Sequence, residues 1–571
     1  MKKLGTLLAT AAAAALVAGA AQAGSHSERG ADGEVRILYW QAPSTQNPYL
    51  SGGTKDIESS SLVLEPLANY DPAGEMVPTL AEEIPTLENG GVAADLKSIT
   101  WKLKKGVTWS DGTPFTSADV VFSAEYCMHP EGGCNATPKF SDVTKVEAVD
   151  EHTVKITFGV AKPFPYGPFV GNDSPIIQKA QFENCMGAKA PECTTENFGP
   201  IGTGPFKVTE FKANDTVLYD MNEKYREEGK PHFSKVLFKG GGDAASAARS
   251  VLETGEFDYA WNLQVEPEIL SRMEAAGKGT VIAAFGPSVE RLMINKTNPD
   301  PALGEERGTV KHPHPFLTDK NVVRALSLAI DRAILVEAGY GAAGKVTCNV
   351  LPAPDAYAST NNDWCKTQDV EAAKKLLADA GWADSDGDGV LEKDGVKLSV
   401  LYQTSTNSVR QGTQALIKQM WNEIGVEVEL KNISASVFFG GDQSSPDTFQ
   451  KFFADVEMYT NNFNGTDPEA YMGSWTCKQI PSPENQWVAN NMPRYYNPEY
   501  DALSAKYSTT AEPAERQRIA KTLNDMLMED GAIVPLIHRG RVAAHSNTLE
   551  GVNMGAWDSE LHEIENWRRK K

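Results

Sequence analysis

Amphipathic helices that lead into short strands recur along this chain, and this alternation restricts the folds open to it. Residues 98–103 and 154–158 alternate apolar and polar side chains, the period of a half-buried strand, and a further strand is predicted at Val107 and Trp109. The helix that ends at Gly425 leads into a strand over residues 426–430, so we predict α/β lobes with mixed sheets. Helices with one core-facing side are predicted to begin near residues 117, 320, 370, 411 and 513.

Length and charge limit the number of domains and the class of partner. The 571 residues exceed the roughly 150 of a typical domain, which predicts two or three domains with substantial cores. The formal net charge of −22 at pH 7 repels polyanions. No nucleic-acid partner is therefore expected.

The first 23 residues have the pattern of a secretory signal peptide. Lys2 and Lys3 precede an alanine-rich apolar run over residues 7–19, and Ala21-Gln22-Ala23 forms an A-x-A cleavage site. A membrane anchor is the competing interpretation, but a span needs about 20 strongly apolar residues and alanine is only weakly apolar. No cysteine follows the cleavage site, so a lipid anchor is not indicated. We predict cleavage and release into the periplasm.

Seven cysteines in an exported chain are able to oxidise, and six of them are near neighbours in pairs. A zinc cluster is the alternative, but there is no C-x-x-C and no histidine at ligand spacing. Cys477 is left over and is expected to be a buried thiol. The predicted short-loop disulfides join Cys127 to Cys134, Cys185 to Cys193, and Cys348 to Cys365.

No catalytic motif survives inspection. Residues 339–345 have the glycine and lysine spacing of a P-loop, but Val346 replaces the hydroxyl residue that ligates magnesium. Residues 202–204 lack the third glycine of a dinucleotide fingerprint, and residues 312–314 are better explained as a proline-rich surface loop than as a metal site. No nucleophile elbow and no H-E-x-x-H helix occurs. We therefore do not expect an enzyme.

One acidic turn resembles the start of a calcium loop, because three aspartates alternate and a glycine follows them. Position twelve of such a loop is Gly395 rather than glutamate, so Glu392 or Asp394 would have to substitute. A solvated acidic turn is the competing interpretation. No cofactor is required, and a structural calcium ion is possible at Asp384, Asp386 and Asp388.

Seven stretches of the chain occur in an order typical of one known family. The most specific is WKLKKGVTWSDGTPFTSADV, residues 101–120. The others are residues 64–67, 78–82, 202–206, 255–258, 323–332 and 494–501. In these stretches the chain resembles the family 5 extracytoplasmic solute-binding proteins of ABC transporters, which include oligopeptide, dipeptide and nickel binders.

The resemblance implies a type II, cluster C-like periplasmic-binding-protein clamshell with an extra inserted subdomain. Closure of its two lobes would bury the ligand, and the ligand's preference for the closed state would drive closure. Most of the shared residues are scaffold, such as Trp101 and Trp109. The implied boundaries are 34–78, 204–285 and 540–571 for a discontinuous lobe I, 79–203 for the inserted subdomain, and 286–539 for lobe II.

Ligand choice is expected where lobe II faces the cleft. In the peptide-binding members, a carboxylate that balances the peptide ammonium group lies three residues before an acidic-proline pair. The matching pair is Asp467-Pro468, and the earlier position is Asn464, which cannot neutralise a buried cation. Dipeptide binders also use an arginine from the loop matching residues 404–408, where this chain has no cation before Arg410.

The resemblance predicts a periplasmic, monomeric component of an ABC importer that captures a peptide or peptide-like solute and delivers it to permease subunits in the inner membrane. A neutral oligosaccharide or an opine-like ligand is the alternative. A secreted hydrolase or a chaperone-like protein is a different class that stays open. The candidate ligand-binding residues are Tyr39, Trp40, Trp261, Arg410, Asn461, Asn464, Asp467 and Trp475.

Overall fold

The computed structural model describes residues 29–571, which form two large lobes and a smaller subdomain. The predicted signal peptide lies outside the described residues. Within the described part of the chain, no helix combines the length and the apolarity that crossing a membrane requires.

Strands and helices alternate as the sequence pattern predicts. The strands are β1 Glu34–Tyr39, β2 Ala68–Tyr70, β3 Met76–Pro78, β4 Ser98–Lys102, β5 Val143–Asp150, β6 Thr153–Phe158, β7 Phe206–Lys212, β8 Thr216–Met221, β9 Lys235–Gly240, β10 Tyr259–Ala260, β11 Gly279–Ala284, β12 Val289–Ile294, β13 Gly344–Val346, β14 Glu392–Lys393, β15 Val396–Lys397, β16 Ser399–Ser405, β17 Glu427–Ile433, β18 Val456–Asn461, β19 Ile533–Arg539, β20 Arg541–Ser546, β21 Leu549–Glu550 and β22 Arg568–Arg569. The α-helices are α1 Thr54–Ser60, α2 Ser117–Met128, α3 Lys179–Phe182, α4 Thr194–Phe198, α5 Ala244–Leu252, α6 Pro267–Glu274, α7 Lys320–Leu328, α8 Arg332–Gly339, α9 Val370–Asp379, α10 Ser408–Glu423, α11 Ala435–Phe438, α12 Glu469–Gly473, α13 Pro498–Thr509 and α14 Pro513–Glu529.

Lobe I is built on a seven-stranded mixed sheet in the order β11-β20-β10-β1-β9-β8-β7. β1 pairs in parallel with β9 and β10, while β20 lies antiparallel between β10 and β11. Lobe II is built on a six-stranded sheet in the order β13-β19-β12-β18-β16-β17, whose strand β12 is buried along its whole length. The apolar sides of α7, α9 and α10 pack on this second sheet and form its core.

The chain passes between the two large sheets twice, through short connections. β11 ends at Ala284 and β12 begins at Val289, whereas only Gly540 separates β19 from β20. The two connections lie side by side, because the Arg539 N–H donates to the Ser288 carbonyl at 3.0 Å. This is the two-lobed α/β arrangement that the sequence predicts, and its exact domain boundaries stay a prediction.

A separate three-stranded antiparallel sheet, β4-β6-β5, forms the subdomain together with α2. Thr116 caps α2 through a capping box, because its hydroxyl accepts from the Ala118 N–H while Asp119 accepts from the Thr116 N–H. Trp101 and Trp109 are buried in this core and serve as the scaffold that the sequence predicts.

The described residues form all three disulfides that the cysteine spacing predicts, with Cα–Cα distances of 5.2, 5.8 and 5.9 Å. Two of them lie in the subdomain, and Cys348–Cys365 lies in lobe II. The expectation of a buried thiol at Cys477 is wrong, since this side chain is half-exposed. A short turn that begins at Cys477 brings it to the surface, where its N–H donates to Asp501 at 2.9 Å.

Two local predictions differ from the structure. The strand at Val107 and Trp109 is wrong: only an isolated bridge between Thr108 and Pro114 forms, because the turn folds back on itself. Helix α10 begins at Ser408, three residues earlier than predicted, since the Asn407 side chain accepts from the Arg410 N–H at 3.0 Å and caps the helix there.

Close backbone packing at Gly202 predicts a destabilising substitution. A Cβ atom at this position would lie 1.8 Å from the Val63 carbonyl oxygen, so Gly202→Ala forces the backbone apart. We expect a loss of about 1–3 kcal/mol or more in the free energy of unfolding, measured by urea denaturation. Gly412→Ala is the matched control, because this helical glycine has open space around its Cβ position and alanine there favours the helix. Equal stabilities of the two variants would contradict the prediction.

Candidate functional site

The two lobes and the subdomain together enclose a cavity of about 190 Å³. A second cavity of about 270 Å³ adjoins it between the subdomain and lobe II. The residues that line both cavities are Pro138, Lys139, Asn464, Asp467 and Ala470. The two cavities therefore adjoin one another, and residues from all three parts of the chain line the first.

Polar contacts join the opposing parts of the protein across the cleft. Lys162 of the subdomain forms an ion pair with Glu469 at the start of α12 in lobe II. Asn490 of lobe II donates its side-chain N–H to the Asn135 carbonyl of the subdomain at 3.2 Å. The lobes therefore enclose the cavity by direct contact.

The lobe I wall of the cavity contains two buried glutamates. Glu58 on α1 accepts hydrogen bonds from the Ser559 hydroxyl at 2.6 Å and from the Glu560 N–H at 2.9 Å. The Tyr259 hydroxyl donates to the Glu560 carboxylate at 2.6 Å, and Arg541 lies 3.9 Å from Glu58. Burial and repulsion by Glu560 raise the pKa of Glu58 to about 8, and burial raises the pKa of Glu560 as well.

On the lobe II wall, two arginines surround one buried glutamate. Arg410 donates from Nε to Glu290 Oε1 at 2.8 Å and from Nη2 to Oε2 at 3.2 Å. Arg539 Nη1 lies 3.9 Å from the same carboxylate, and its Nη2 donates to Asn262 Oδ1 of lobe I at 2.6 Å. Although burial opposes ionisation, Arg410 and then Arg539 hold the pKa of Glu290 below its ordinary value. Glu290 is therefore an ionised carboxylate shared by two guanidinium groups.

Three predicted ligand-binding residues line the cavity. Asn461 is the last residue of β18, and Asn464 and Asp467 follow it in the chain. The Asn464 side-chain N–H donates to Asp173 Oδ1 at 2.8 Å. Asp467 accepts from Arg516 Nη2 at 2.6 Å and so is already paired. The structure brings these residues together, but it commits Asn464 and Asp467 to partners within the protein.

The predicted aromatic walls divide into one cavity residue and three core residues. Trp261 lines the cavity and stacks on Tyr39, with ring centroids 4.6 Å apart. Tyr39 lies behind it in the lobe I core, and Trp40 is also buried, with its Nε1 donating to the Asn262 carbonyl at 2.8 Å. Trp475 is 1 % exposed and packs in the core between the lobes. Tyr39, Trp40 and Trp475 are thus corrected from cavity wall to core, because apolar rings gain most from full burial.

The sequence interpretation missed most of the charged lining. These residues come from distant parts of the chain and belong to no motif, so only folding brings them together. One signal was available: charges within the otherwise apolar run of residues 532–544 occupy positions where a strand is expected to be buried. The missed lining residues are Glu58, Lys139, Asp173, Arg539, Arg541, Asp558 and Glu560.

The acidic turn predicted as a calcium site is exposed and lines neither cavity. Glu392, rather than Asp394, joins the aspartates, and one oxygen from each group lies within 4.8 Å of the others. Asp388 is also paired with Lys397. Calcium binding here stays a prediction for Asp384, Asp386, Asp388 and Glu392.

Removal of the Glu290 charge should destabilise the protein strongly. Glu290→Gln would leave Arg410 and Arg539 buried without their carboxylate, which costs about 3–5 kcal/mol of unfolding free energy. Urea denaturation measures this loss. Glu147→Gln, in an exposed pair with Lys145, is the control and should cost less than about 1 kcal/mol. A small effect at Glu290 would contradict the arrangement.

The buried Glu58 carboxyl should make stability depend on pH. Its pKa is raised in the folded protein, so the unfolded chain loses this proton first as the pH rises from about 5 towards 8, and stability falls over that window. Glu58→Gln should therefore gain roughly 1–3 kcal/mol relative to the parent at pH 8 and show a shallower pH slope. Denaturation at several pH values tests this expectation, with the highly exposed Glu371→Gln as a control. An unchanged slope in Glu58→Gln would contradict it.

The chain matches the model of the bacterial extracellular solute-binding proteins, family 5 Middle, over residues 75–483. It is 25% identical over 506 residues to the oligopeptide-binding protein AppA of Bacillus subtilis, covering 86% of this chain and 83% of that protein. The glutathione-binding protein GsiB of Shigella boydii is 23% identical over 511 residues, with 89% of each chain covered.

Solved structures show the same fold. AppA from Bacillus subtilis in complex with a nonapeptide has a TM-score of 0.79 at 22% identity, covering 94% of this chain and 99% of that one. AgaA from A. tumefaciens R10, solved with agropinic acid, has a TM-score of 0.75 at 21% identity with the same coverage. The match of the family model across most of the chain, on a fold shared with these structures, shows that the protein belongs to the bacterial extracellular solute-binding proteins of family 5.

Proposed function

We propose that this protein is the periplasmic substrate-binding component of an ABC importer, which captures a peptide or peptide-like solute between its lobes. The observation that carries the proposal is the polar cavity enclosed by both lobes and the subdomain, next to two short connections on which the lobes can turn. A ligand that contacts both walls binds the closed state better than the open one and shifts the lobes towards closure.

The remaining parts of the proposal follow from the sequence and the family. The leader directs export, the mature monomer diffuses in the periplasm, and the closed form delivers its ligand to permease subunits in the inner membrane. We propose binding without turnover. The similarity to AppA and GsiB, whose names specify an oligopeptide and glutathione, supports the peptide-like class.

Asn464 supports a second candidate class, a neutral oligosaccharide or an opine-like solute. This side chain is a neutral amide in the cavity, where the resemblance places a carboxylate in peptide binders. An amide satisfies hydroxyl and carbonyl groups but does not neutralise a buried ammonium group. AgaA, which shares this fold, was solved in complex with agropinic acid, so the fold is not restricted to the ligands that the names of AppA and GsiB specify.

Thermal unfolding of the purified mature protein with a ligand panel tests the proposal. The panel contains di- to pentapeptides, glutathione, neutral oligosaccharides and opines. A ligand at one hundred times its dissociation constant adds about 2.7 kcal/mol, which raises the melting temperature by a few degrees. We expect a rise with a peptide-like compound and no product by mass spectrometry.

Other outcomes separate the alternatives. If only sugars or opines raise the melting temperature, the ligand is a sugar or an opine rather than a peptide, and the proposed transport role stands. Product formation would contradict a binding role and indicate a hydrolase. If the protein binds unfolded chains and no small solute raises its melting temperature, it is a chaperone-like protein.

A further inference from the structure

The second cavity, between the subdomain and lobe II, continues the first. The two spaces meet at the residues that line both of them: Pro138, Lys139, Asn464, Asp467 and Ala470. Pockets for small molecules span roughly 300–1,000 Å³. The two cavities, of about 190 and 270 Å³, each fall below this range and reach it only together. A solute that occupies both therefore has a site of ordinary size.

The subdomain wall of the second cavity is rich in rings. Phe164, Pro165, Tyr166 and Pro168 come from one loop, and Phe158 ends β6 close by in the chain. The rings of Phe164 and Tyr166 meet edge to face with their centroids 5.1 Å apart, and both side chains are only half-buried. Part of this aromatic surface is therefore available to a bound group.

The lobe II wall of the second cavity carries small side chains. They lie on α12 and α13: Gly473, Ser504, Ala505 and Ser508. A Cβ atom at Gly473 would meet no other atom within 4 Å. Small side chains on one wall and rings on the other leave a space that suits an apolar group.

Most charged groups of the second cavity are neutralised within the protein. The ion pairs are Lys162–Asp142, Lys162–Glu469, Lys139–Asp173 and Asp467–Arg516. Of the two remaining groups, Asp501 accepts from the Cys477 N–H at 2.9 Å and Lys478 is exposed. A second charge brought into this cavity would lose its hydration without gaining a free partner.

The place where the cavities meet presents a neutral amide. The Asn464 side-chain N–H donates to Asp173 at 2.8 Å, and its Oδ1 accepts no hydrogen bond from residues 29–571. A carbonyl oxygen in this position is suited to accept from an amide N–H of a chain that passes from one cavity to the other.

We infer that the second cavity is a subsite for an apolar end of the captured solute, which extends from the first cavity past Asn464 into the space between the subdomain and lobe II. The inference rests on the proposed function, because it names the class of solute: an extended, peptide-like chain with an aromatic or aliphatic group at one end. The shared lining assigns the second cavity to the same solute as the first.

A ladder of peptides tests the subsite by isothermal calorimetry. Dialanine to pentaalanine are compared with peptides of the same lengths that carry phenylalanine as the first or as the last residue. We expect affinity to rise with length. Phenylalanine at one end of the longer peptides should add at least about tenfold in affinity, because its ring leaves water for an apolar wall.

Variants that fill the second cavity identify its role. Gly473→Leu and Ser504→Leu each add a larger side chain from a different helix. In either variant, phenylalanyl and alanyl peptides of the same length should bind within about threefold of each other. Gly412→Leu on α10 is the matched control, because this glycine also has open space around its Cβ position and lines neither cavity. It should keep the full phenylalanine gain. Urea denaturation of the ligand-free variants establishes that each one folds.

The outcomes distinguish this inference from the proposed function. A phenylalanine gain that persists in both filled variants, or no gain at either end of any bound peptide, would overturn the subsite and leave solute binding intact. Binding confined to a compact sugar or opine would do the same. Binding of N-acetylphenylalaninamide beside a saturating peptide would show a separate site and also overturn the inference. If no compound of this ladder or of the earlier panel binds, the proposed function and the inference are both contradicted.

Discussion

A single buried carboxylate, Glu290, holds together the region where both connections between the lobes enter lobe II. It is the second residue of β12, the first strand after one connection, and its partner Arg539 ends β19, the last strand before the other. Two guanidinium groups satisfy a charge that would be too costly to bury alone. Arg539 also reaches Asn262 of lobe I, so the same cluster links the two lobes beside the cavity.

The charges beside the cavity belong to one network that spans both lobes. Lobe I buries Glu58 and Glu560 beside Arg541, and lobe II buries Glu290 with Arg410 and Arg539. Burial raises the pKa of Glu560, and the charges of Arg541 and Arg539 oppose that shift, so the two walls are electrostatically coupled. A solute that contacts both walls favours the closed state of the lobes.

The structure also separates residues that stabilise from residues that select. Tyr39, Trp40 and Trp475 are aromatic rings whose burial stabilises the cores behind the cleft. Asp467 is paired with Arg516 and positions the loop that carries Asn464. The charged groups of lobe I and of the second connection that line the cavity come instead from α1, from the end of β19, from the start of β20 and from residues 558–560.

The sequence by itself determined the α/β class, three disulfides, the five helices α2, α7, α9, α10 and α14, and the family, because periodicity, cysteine spacing and local motifs are short-range properties. Five of the predicted residues line the cavity: Arg410, Asn461, Asn464 and Asp467 belong to lobe II, where the resemblance guided the prediction, and Trp261 of lobe I was chosen as an aromatic side chain. Only the tertiary structure decided which aromatic rings face the core and which carboxylates face the cleft. Glu58 and Glu560 are 502 residues apart in the chain, and they meet where the Ser559 hydroxyl and the Glu560 N–H donate to the Glu58 carboxylate. Their mutual repulsion is strong only in the folded protein, where burial removes the water that would otherwise screen it.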